Sequence, residues 1–92
     1  MRFGRIDNYI GGEFVPSGAE TIDIMSPLDG SRIGTVPMSG GFELGEAVKA
    51  ARKALPEWAS MTTKSRSAVL YDYRRLLVEN RDMLAEINHA EN

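Results

Sequence analysis

Hydrophobic and polar residues alternate over short distances in residues 1–38, and turn residues separate the runs. The runs 9–10 and 13–15 flank Gly11 and Gly12. Two glycines supply the positive φ that a type I′ turn requires at both central positions, so this stretch predicts a β-hairpin. Proline follows the second run and ends it, because proline has no N–H to donate to a strand ladder.

A second pair of strands is predicted directly downstream. Residues 21–25 alternate and place Ile22 and Ile24 on one face. Residues 26–30 have the sequence Ser-Pro-Leu-Asp-Gly, which is typical of a turn, since the proline fixes φ and the glycine can adopt the left-handed region. Residues 32–36 form the return strand, which the next proline ends. The front of the chain is therefore predicted as two antiparallel hairpins.

From residue 39 onward the hydrophobic period becomes that of an α-helix. Either Ser39 is the N-cap of the first helix, or Gly40 is the N-cap with Glu43 three residues later. Pro56 lacks the N–H that an interior position would use, so the helix is predicted to end near Leu55, and Pro56 opens a short separate turn. This turn extends to Trp58. The apolar stripe of the first helix has spacings of four, three, four and three residues and consists of Leu44, Val48, Ala51, Leu55 and Trp58.

The remainder predicts a helix, a break and another helix. Thr62 or Thr63 can cap the first of them, and Asn80 falls where the apolar stripe skips a position. Asn80 is either a buried residue that sets register in a coiled coil or, as we prefer, the cap of a new helix with Asp82 in its first turn. No C-cap glycine follows, so the chain is predicted to be cut from a longer one. The apolar stripe that runs along these last two predicted helices consists of Leu70, Tyr73, Leu77, Leu84 and Ile87.

The composition is that of an ordinary globular protein and excludes several classes. Of 92 residues, 42% are hydrophobic and 26% are charged, which is close to the globular average and unlike a disordered chain. The formal charge is −2 with both signs interspersed, so no surface for a nucleic acid is predicted. No long apolar run is present, so we expect no membrane segment and a cytoplasmic protein. One domain of this size is marginally stable when it folds alone.

Candidate metal and nucleophile chemistry is sparse. The chain has no cysteine, which excludes a disulfide, a thiolate metal site and a cysteine nucleophile within it. His89 is the only histidine, and Glu86 and Glu91 are its nearest carboxylates in sequence. Positions 86 and 89 share a helix face and position 91 does not, so a surface histidine is the preferred interpretation.

The remaining candidates are a glycine pair and three carboxylates. Gly40 and Gly41 precede a helix, and a helix N-terminus attracts anions. A dinucleotide site, however, needs three spaced glycines directly after a strand, so a turn with an N-cap is the preferred interpretation. Glu43, Glu46 and Glu57 lie on or near a solvated helix face, without an apolar pocket that would adapt them to acid–base catalysis. The pattern therefore assigns no catalytic, cofactor-binding or metal-binding residue.

The order of these motifs resembles the N-terminal part of the aldehyde dehydrogenase family. Residues 8–15 (Asn-Tyr-Ile-Gly-Gly-Glu-Phe-Val) resemble its opening hairpin, and residues 26–30 match its Asn-Pro-x-Thr/Asp-Gly turn with Ser in place of Asn. Residues 33–37 resemble the strand that follows that turn, residues 47–58 the first helix with its tryptophan, and residues 65–85 the second helix pair. The resemblance extends over nearly the whole chain.

Within the family, two stretches look most like the methylmalonate-semialdehyde group, which makes an acyl-CoA product. They are residues 55–59, Leu-Pro-Glu-Trp-Ala, and residues 69–77, Val-Leu-Tyr-Asp-Tyr-Arg-Arg-Leu-Leu. The resemblance implies a homo-oligomeric enzyme that oxidises an aldehyde or semialdehyde with NAD or NADP through a cysteine thiohemiacetal. Water or CoA would then take the acyl group.

The resemblance also implies what residues 1–92 are: a single N-terminal segment of an α/β protein, with hairpins over 1–38 and helices over 39–92. The segment would be the leading part of a Rossmann-type cofactor domain. Family members continue with Gly-Lys, and their nucleophilic Cys, Glu base and oxyanion-hole Asn all come later, as does most of the cofactor site. We therefore expect the segment alone to be inactive, to bind no cofactor and to need the rest of the dehydrogenase chain as its partner.

A second hypothesis from a different class stays open at this point. The stripe from Leu70 to Ile87 could instead dock a partner helix, which would make the chain a non-enzymatic interaction module or a degenerate remnant. A reading frame that continues with Gly-Lys after residue 92 favours the enzyme, and a stop codon there favours the module or the remnant.

Overall fold

The structure, a computed structural model, describes residues 2–92. Strands come first and helices follow, so the predicted mixed α/β order is confirmed. The strands and helices are β1 Gly4–Arg5, β2 Asn8–Ile10, β3 Glu13–Val15, β4 Thr21–Met25, β5 Arg32–Pro37, α1 Gly41–Ser60, α2 Thr63–Glu79 and α3 Arg81–Glu91. Within the described residues, no helix is long and apolar enough to cross a membrane.

Strands β2 and β3 form a small antiparallel sheet of their own. Gly11 and Gly12 connect them with φ of 64° and 87°, the left-handed region that glycine adopts without a steric penalty. Tyr9 lies opposite Phe14, and their ring centroids are 5.0 Å apart at an interplanar angle of 68°. This edge-to-face contact is a favourable cross-strand pair.

Strands β4 and β5 pair antiparallel, but they belong to a three-stranded sheet of order β1-β5-β4. Strand β1 pairs parallel to β5, and the N–H of Phe3 and the N–H of Ile6 donate to Ile33 and Thr35 at 2.6 and 2.8 Å. The prediction of hairpins alone did not include this strand. Two residues, one of them glycine, give no hydrophobic alternation from which a strand could be recognised.

The turn between β4 and β5 is held by short-range hydrogen bonds. The N–H of Gly30 donates to the carbonyl of Ser26 at 2.9 Å, and the N–H of Ser26 donates to the carbonyl of Ser31 at 2.8 Å. Gly30 has φ of 74°, as predicted for the position that closes the turn. Asp29 Oδ1 accepts from both the N–H and the hydroxyl of Ser31, at 2.9 and 2.7 Å.

Helix α1 runs through Pro56 and ends at Ser60, so the predicted end near Leu55 and the separate turn were wrong. Proline at position 56 removes the hydrogen bond to the carbonyl of Arg52. Arg52 is exposed, however, and water can satisfy that carbonyl. The helix finishes beyond the proline with the N–H of Met61 donating to the carbonyl of Trp58 at 3.2 Å.

The break between α2 and α3 lies at Asn80, as predicted, but the side chain of Asn80 does not cap α3. Its Nδ2 donates back to the carbonyl of Leu76 at 2.8 Å, and its N–H donates to the same oxygen at 3.1 Å. Asn80 therefore ends α2, and the helix break at this residue does not fit a register-setting position inside a continuous coiled-coil helix. At the start of α2, Thr62 is the N-cap, and its hydroxyl accepts from the N–H of Ser65 at 3.1 Å.

Candidate functional site

The N-terminus of α1, which the glycine pair marked as a possible anion site, holds a carboxylate of the chain itself. Gly40 is the N-cap and donates its N–H to Glu43 Oε2 at 2.9 Å. Glu43 Oε1 accepts from the hydroxyl of Ser17 at 2.9 Å. Of the two predicted caps, Gly40 with Glu43 is therefore confirmed. An incoming phosphate would meet this negative charge at the helix end.

These donors also set the ionisation of Glu43. The N–H of Gly40 contributes most, and the N–H of Glu43 and the hydroxyl of Ser17 add to it, so the pKa of the Glu43 carboxyl lies below its ordinary value. The shift marks a charged cap of the helix, because all three donors stabilise the carboxylate. It does not mark an acid–base catalyst, which would need a pKa nearer to neutrality.

We expect Glu43→Gln to remove a pH-dependent part of the stability of α1. Because the folded-state pKa is lowered, the stabilisation from Glu43 is complete above pH 4.5, the ordinary value, and is lost as the pH falls through the folded-state pKa. Where residues 1–92 are folded, acid titration of the helical circular dichroism signal should therefore show a loss that is smaller in the variant.

Ser17→Ala is the matched control for that titration. It removes one of the three donors and leaves the carboxylate, so the pKa of Glu43, followed through its side-chain carbon by NMR, should move up toward the ordinary value. A Glu43 carboxyl that titrates at the ordinary value in the native chain would contradict the structure of this cap.

His89 lies beside a cavity between α3 and the turn that joins β4 to β5. The cavity has a volume of about 380 Å³. Glu86 also lines it and Glu91 does not, in agreement with their positions on the helix. The turn contributes Asp29, whose pKa is lowered first by the hydroxyl of Ser31 and then by the N–H of Ser31. Within residues 2–92, no group of three or more His, Cys, Asp or Glu could hold a metal ion.

The other two candidate carboxylates stay apart from this cavity. Glu46 and Glu57 are exposed on α1. Glu57 borders a shallow groove between α1 and the β2–β3 turn, where the helix presents small side chains. The structure thus brings none of the candidate carboxylates of α1 together with His89. The alanines that line the groove are Ala47, Ala50, Ala51 and Ala54.

Contacts between the front of the chain and α1 were not predicted. Asn8 Nδ2 donates to the hydroxyl of Ser39 at 2.7 Å, and Ser17 reaches Glu43 as described above. Arg5 Nη2 donates to the carbonyl of Ser17 at 2.6 Å. These pairs are 31, 26 and 12 residues apart, so no local pattern could identify them. They fix where α1 begins relative to the strands.

The most prominent surface feature is apolar area that nothing in residues 2–92 covers. Ile33 is the one buried hydrophobic residue of this part of the chain, with 5% of its surface exposed. The accessible surface is 7484 Å², whereas a compact protein of 10.1 kDa has about 5,300 Å². The radius of gyration is 16.8 Å, whereas a compact chain of 92 residues has about 12 Å.

The uncovered residues lie mainly on the helices, and they include nearly every member of the predicted stripes. On α1 the β2–β3 sheet lies against the alanine side and leaves the larger side chains free. Exposed surface of this extent marks an interaction site. The exposed large side chains of the helices are Phe42, Leu44, Val48, Leu55, Trp58, Val69, Leu70, Tyr71, Tyr73, Leu76, Leu77, Val78, Met83 and Leu84.

Comparison with known proteins gives one consistent result. A model of the aldehyde dehydrogenase family matches residues 14–92. The chain is 43% identical over 84 residues to a glutarate-semialdehyde dehydrogenase of Pseudomonas putida, which is 90% of this chain and 18% of that protein. It is 37% identical over 83 residues to an NADP-dependent succinate-semialdehyde dehydrogenase of Escherichia coli, which is 89% of this chain and 17% of that protein.

A malonate-semialdehyde dehydrogenase of Bacillus cereus is 40% identical over 89 residues, which is 96% of this chain and 18% of that protein. The chain therefore spans less than a fifth of the length of these relatives. All three names refer to semialdehyde substrates, and these semialdehydes differ in the length of their carbon chain. The family resemblance of the motifs is thereby confirmed.

Proposed function

The chain belongs to the aldehyde dehydrogenase family, and from that premise we propose that it is the N-terminal segment of a longer dehydrogenase that oxidises a semialdehyde. NAD or NADP would accept the hydride, and water or CoA would accept the acyl group. Two observations support this most directly: the family model matches residues 14–92, and the chain is 37–43% identical, over 83–89 residues, to three semialdehyde dehydrogenases.

Residues 2–92 do not fit the cofactor themselves. The glycine pair before α1 is the one stretch that resembles a phosphate loop, and the carboxylate of Glu43 occupies that helix end. A negative charge at this position repels a pyrophosphate. We therefore assign no step of the reaction to these residues, and the chain has no cysteine that could attack an aldehyde.

The role that we propose for the segment is structural. Its apolar helix faces would pack against the remainder of the dehydrogenase chain and would complete the leading part of a Rossmann-type cofactor domain. The exposed large apolar side chains of the helices, together with the excess of accessible surface over that of a compact protein, support this role, because exposed apolar side chains need a covering surface. When complete, the enzyme would be a homo-oligomer.

A hybrid enzyme tests the proposal. Residues 1–92 replace the matching segment of the Pseudomonas putida glutarate-semialdehyde dehydrogenase, and NADH or NADPH formation from glutarate semialdehyde is measured. We expect the hybrid to be soluble and active, because the apolar faces of the segment would meet the surface that the relative's own segment covers. The relative with its segment deleted is the control, and we expect it to be insoluble or inactive.

Two results would contradict the proposal. One is a hybrid that is insoluble or inactive under conditions in which the unmodified relative is active. The other is aldehyde-dependent NADH or NADPH formation by residues 1–92 alone, which would mean that the segment has chemistry of its own.

A further inference from the structure

Helix α2 has apolar residues on two sides. At about 100° per residue, one group lies within an arc of about 120°, the width expected of a helix that packs on a single layer. Two more large residues, Tyr71 and Val78, lie at about 80–100° beyond the end of that arc. They are seven residues apart and so share a face. The residues of the first arc are Val69, Leu70, Tyr73, Leu76 and Leu77.

The two groups form one continuous surface. A shallow groove lined by Ser67, Leu70, Tyr71 and Arg74 joins them, so Leu70 borders both. Tyr71 is 71% exposed and Val78 is 60% exposed. The charged head of Arg74 can reach solvent while its methylene stem covers apolar surface. The two apolar groups, with the polar residues Thr63, Ser67 and Arg74 between them, together extend over about 220° of the circumference of α2.

The remaining arc of α2 is polar and charged. Arg75 lies between Asp72 and Glu79 on it, at 3.9 Å and 3.0 Å, and all three side chains are more than half exposed. Ion pairs at these spacings are typical of a solvated helix face. Ala68 lies on the same arc. The side of α2 that faces water is therefore narrow, about 100–140° wide.

We propose that α2 is an inner helix of the complete protein, covered on two sides by the polypeptide that follows Asn92. This inference rests on the proposed function, which supplies the longer chain. One packed layer covers a stripe of about 100° or somewhat more, so an apolar group that lies about 80–100° beyond the first arc needs a second layer. The relatives are more than five times as long as the matched region, which is 18% of their length, so ample chain is available for both layers.

The covering surface on the second side is assigned to the same chain and not to a second copy. Tyr71 and Val78 together expose on the order of 200–250 Å². A stable dimer buries about 800 Å² on each partner and must offset the entropy of association. A strip of this size is too small for that, whereas a segment of the same chain can cover it without an association cost.

Thiol labelling in the hybrid enzyme tests the inference without disturbing the fold. Val78→Cys places a thiol on the second side, and Ala68→Cys places one on the solvent arc as the matched control. We expect a water-soluble maleimide to modify position 78 at least about tenfold more slowly than position 68, measured by mass spectrometry of the α2 peptide in the folded hybrid. Equal rates at the two positions would overturn the inference.

A charged substitution gives an independent readout. Val78→Asp in the hybrid should lower the yield of soluble, active enzyme at least about tenfold, as should Leu77→Asp, because each would bury an unpaired charge. Ala68→Asp, which costs more helix propensity than Val78→Asp, should change the yield less than about twofold.

The other outcomes separate the alternatives. A Val78→Asp hybrid that stays active and keeps its oligomeric state overturns the inference and leaves the proposed function intact. A Val78→Asp hybrid that stays active but dissociates into smaller oligomers would mean that a second copy covers this side, which also overturns it. An unsubstituted hybrid that fails to fold overturns the proposed function, and the inference with it.

Discussion

Residues 1–92, prepared alone, are expected to self-associate or to remain loosely folded, and to melt without a sharp monomeric transition. One hydrophobic residue of the described chain is buried, and the accessible surface exceeds that of a compact protein of this mass by roughly 2,200 Å². The burial of so little apolar surface cannot offset the conformational entropy that the chain loses on folding. Sedimentation velocity should show a mass that rises with concentration, and the thermal unfolding curve should be broad.

A matched variant separates association from disorder. Leu70→Lys with Leu77→Lys places two charges on the apolar side of α2, and we expect it to stay monomeric at concentrations where the native chain associates. A native chain that is monomeric, has a radius of gyration near 12 Å and melts in one sharp two-state transition would show that the chain is a complete folding unit. That result would contradict the open surface of the structure and the role proposed for it.

Local chemistry made some of the fold predictable from the sequence. Gly11 and Gly12 specify the turn of the β2–β3 sheet because few other residues adopt positive φ, and the structure has both glycines there. The apolar stripes of α1 and α2 identify helices because their period differs from that of a strand. In each of these cases the signal lies within a few residues, so a single sequence contains it.

Pro56 shows where the same reasoning fails. The rule that proline ends a helix assumes that the freed carbonyl has no other partner. Near its end α1 is exposed on all sides within the described residues, so water can satisfy the freed carbonyl, and the helix continues to Ser60. The environment of Arg52, which no local pattern specifies, decided the outcome. The prediction that the side chain of Asn80 caps α3 failed in the same way, because that side chain donates to the carbonyl of Leu76 in α2.

Only part of the candidate site could be read from the sequence. The lack of cysteine is a property of the sequence. The occupation of the α1 N-terminus by Glu43 required the structure, although Glu43 three residues after Gly40 indicated a cap. Ser17, which completes that cap from 26 residues away, had no signal. Contacts between distant segments form through the whole fold, so no local pattern contains them.

Gly34→Ala in the hybrid enzyme is expected to separate β1 from β5. A Cβ at position 34 would lie 2.9 Å from the backbone oxygen of Gly4 and 3.3 Å from the Cβ of Phe3. Backbone atoms cannot move aside as a flexible side chain can, so the parallel pairing must open. Overpacking of this kind lowers the free energy of unfolding by about 1–3 kcal/mol. Hydrogen exchange of the Ile6 amide, which donates to Thr35, should accelerate roughly 5- to 150-fold.

Gly18→Ala is the control for that substitution, because nothing lies within 4 Å of a Cβ at position 18 and its φ is not positive. The same methyl group there should leave the exchange of the Ile6 amide unchanged. Unaltered exchange in the Gly34→Ala hybrid would mean that β1 does not pair with β5 in the complete enzyme. Accelerated exchange confined to the Gly34→Ala hybrid would establish β1, the strand that the sequence did not reveal, as part of the sheet that contains the buried residue Ile33.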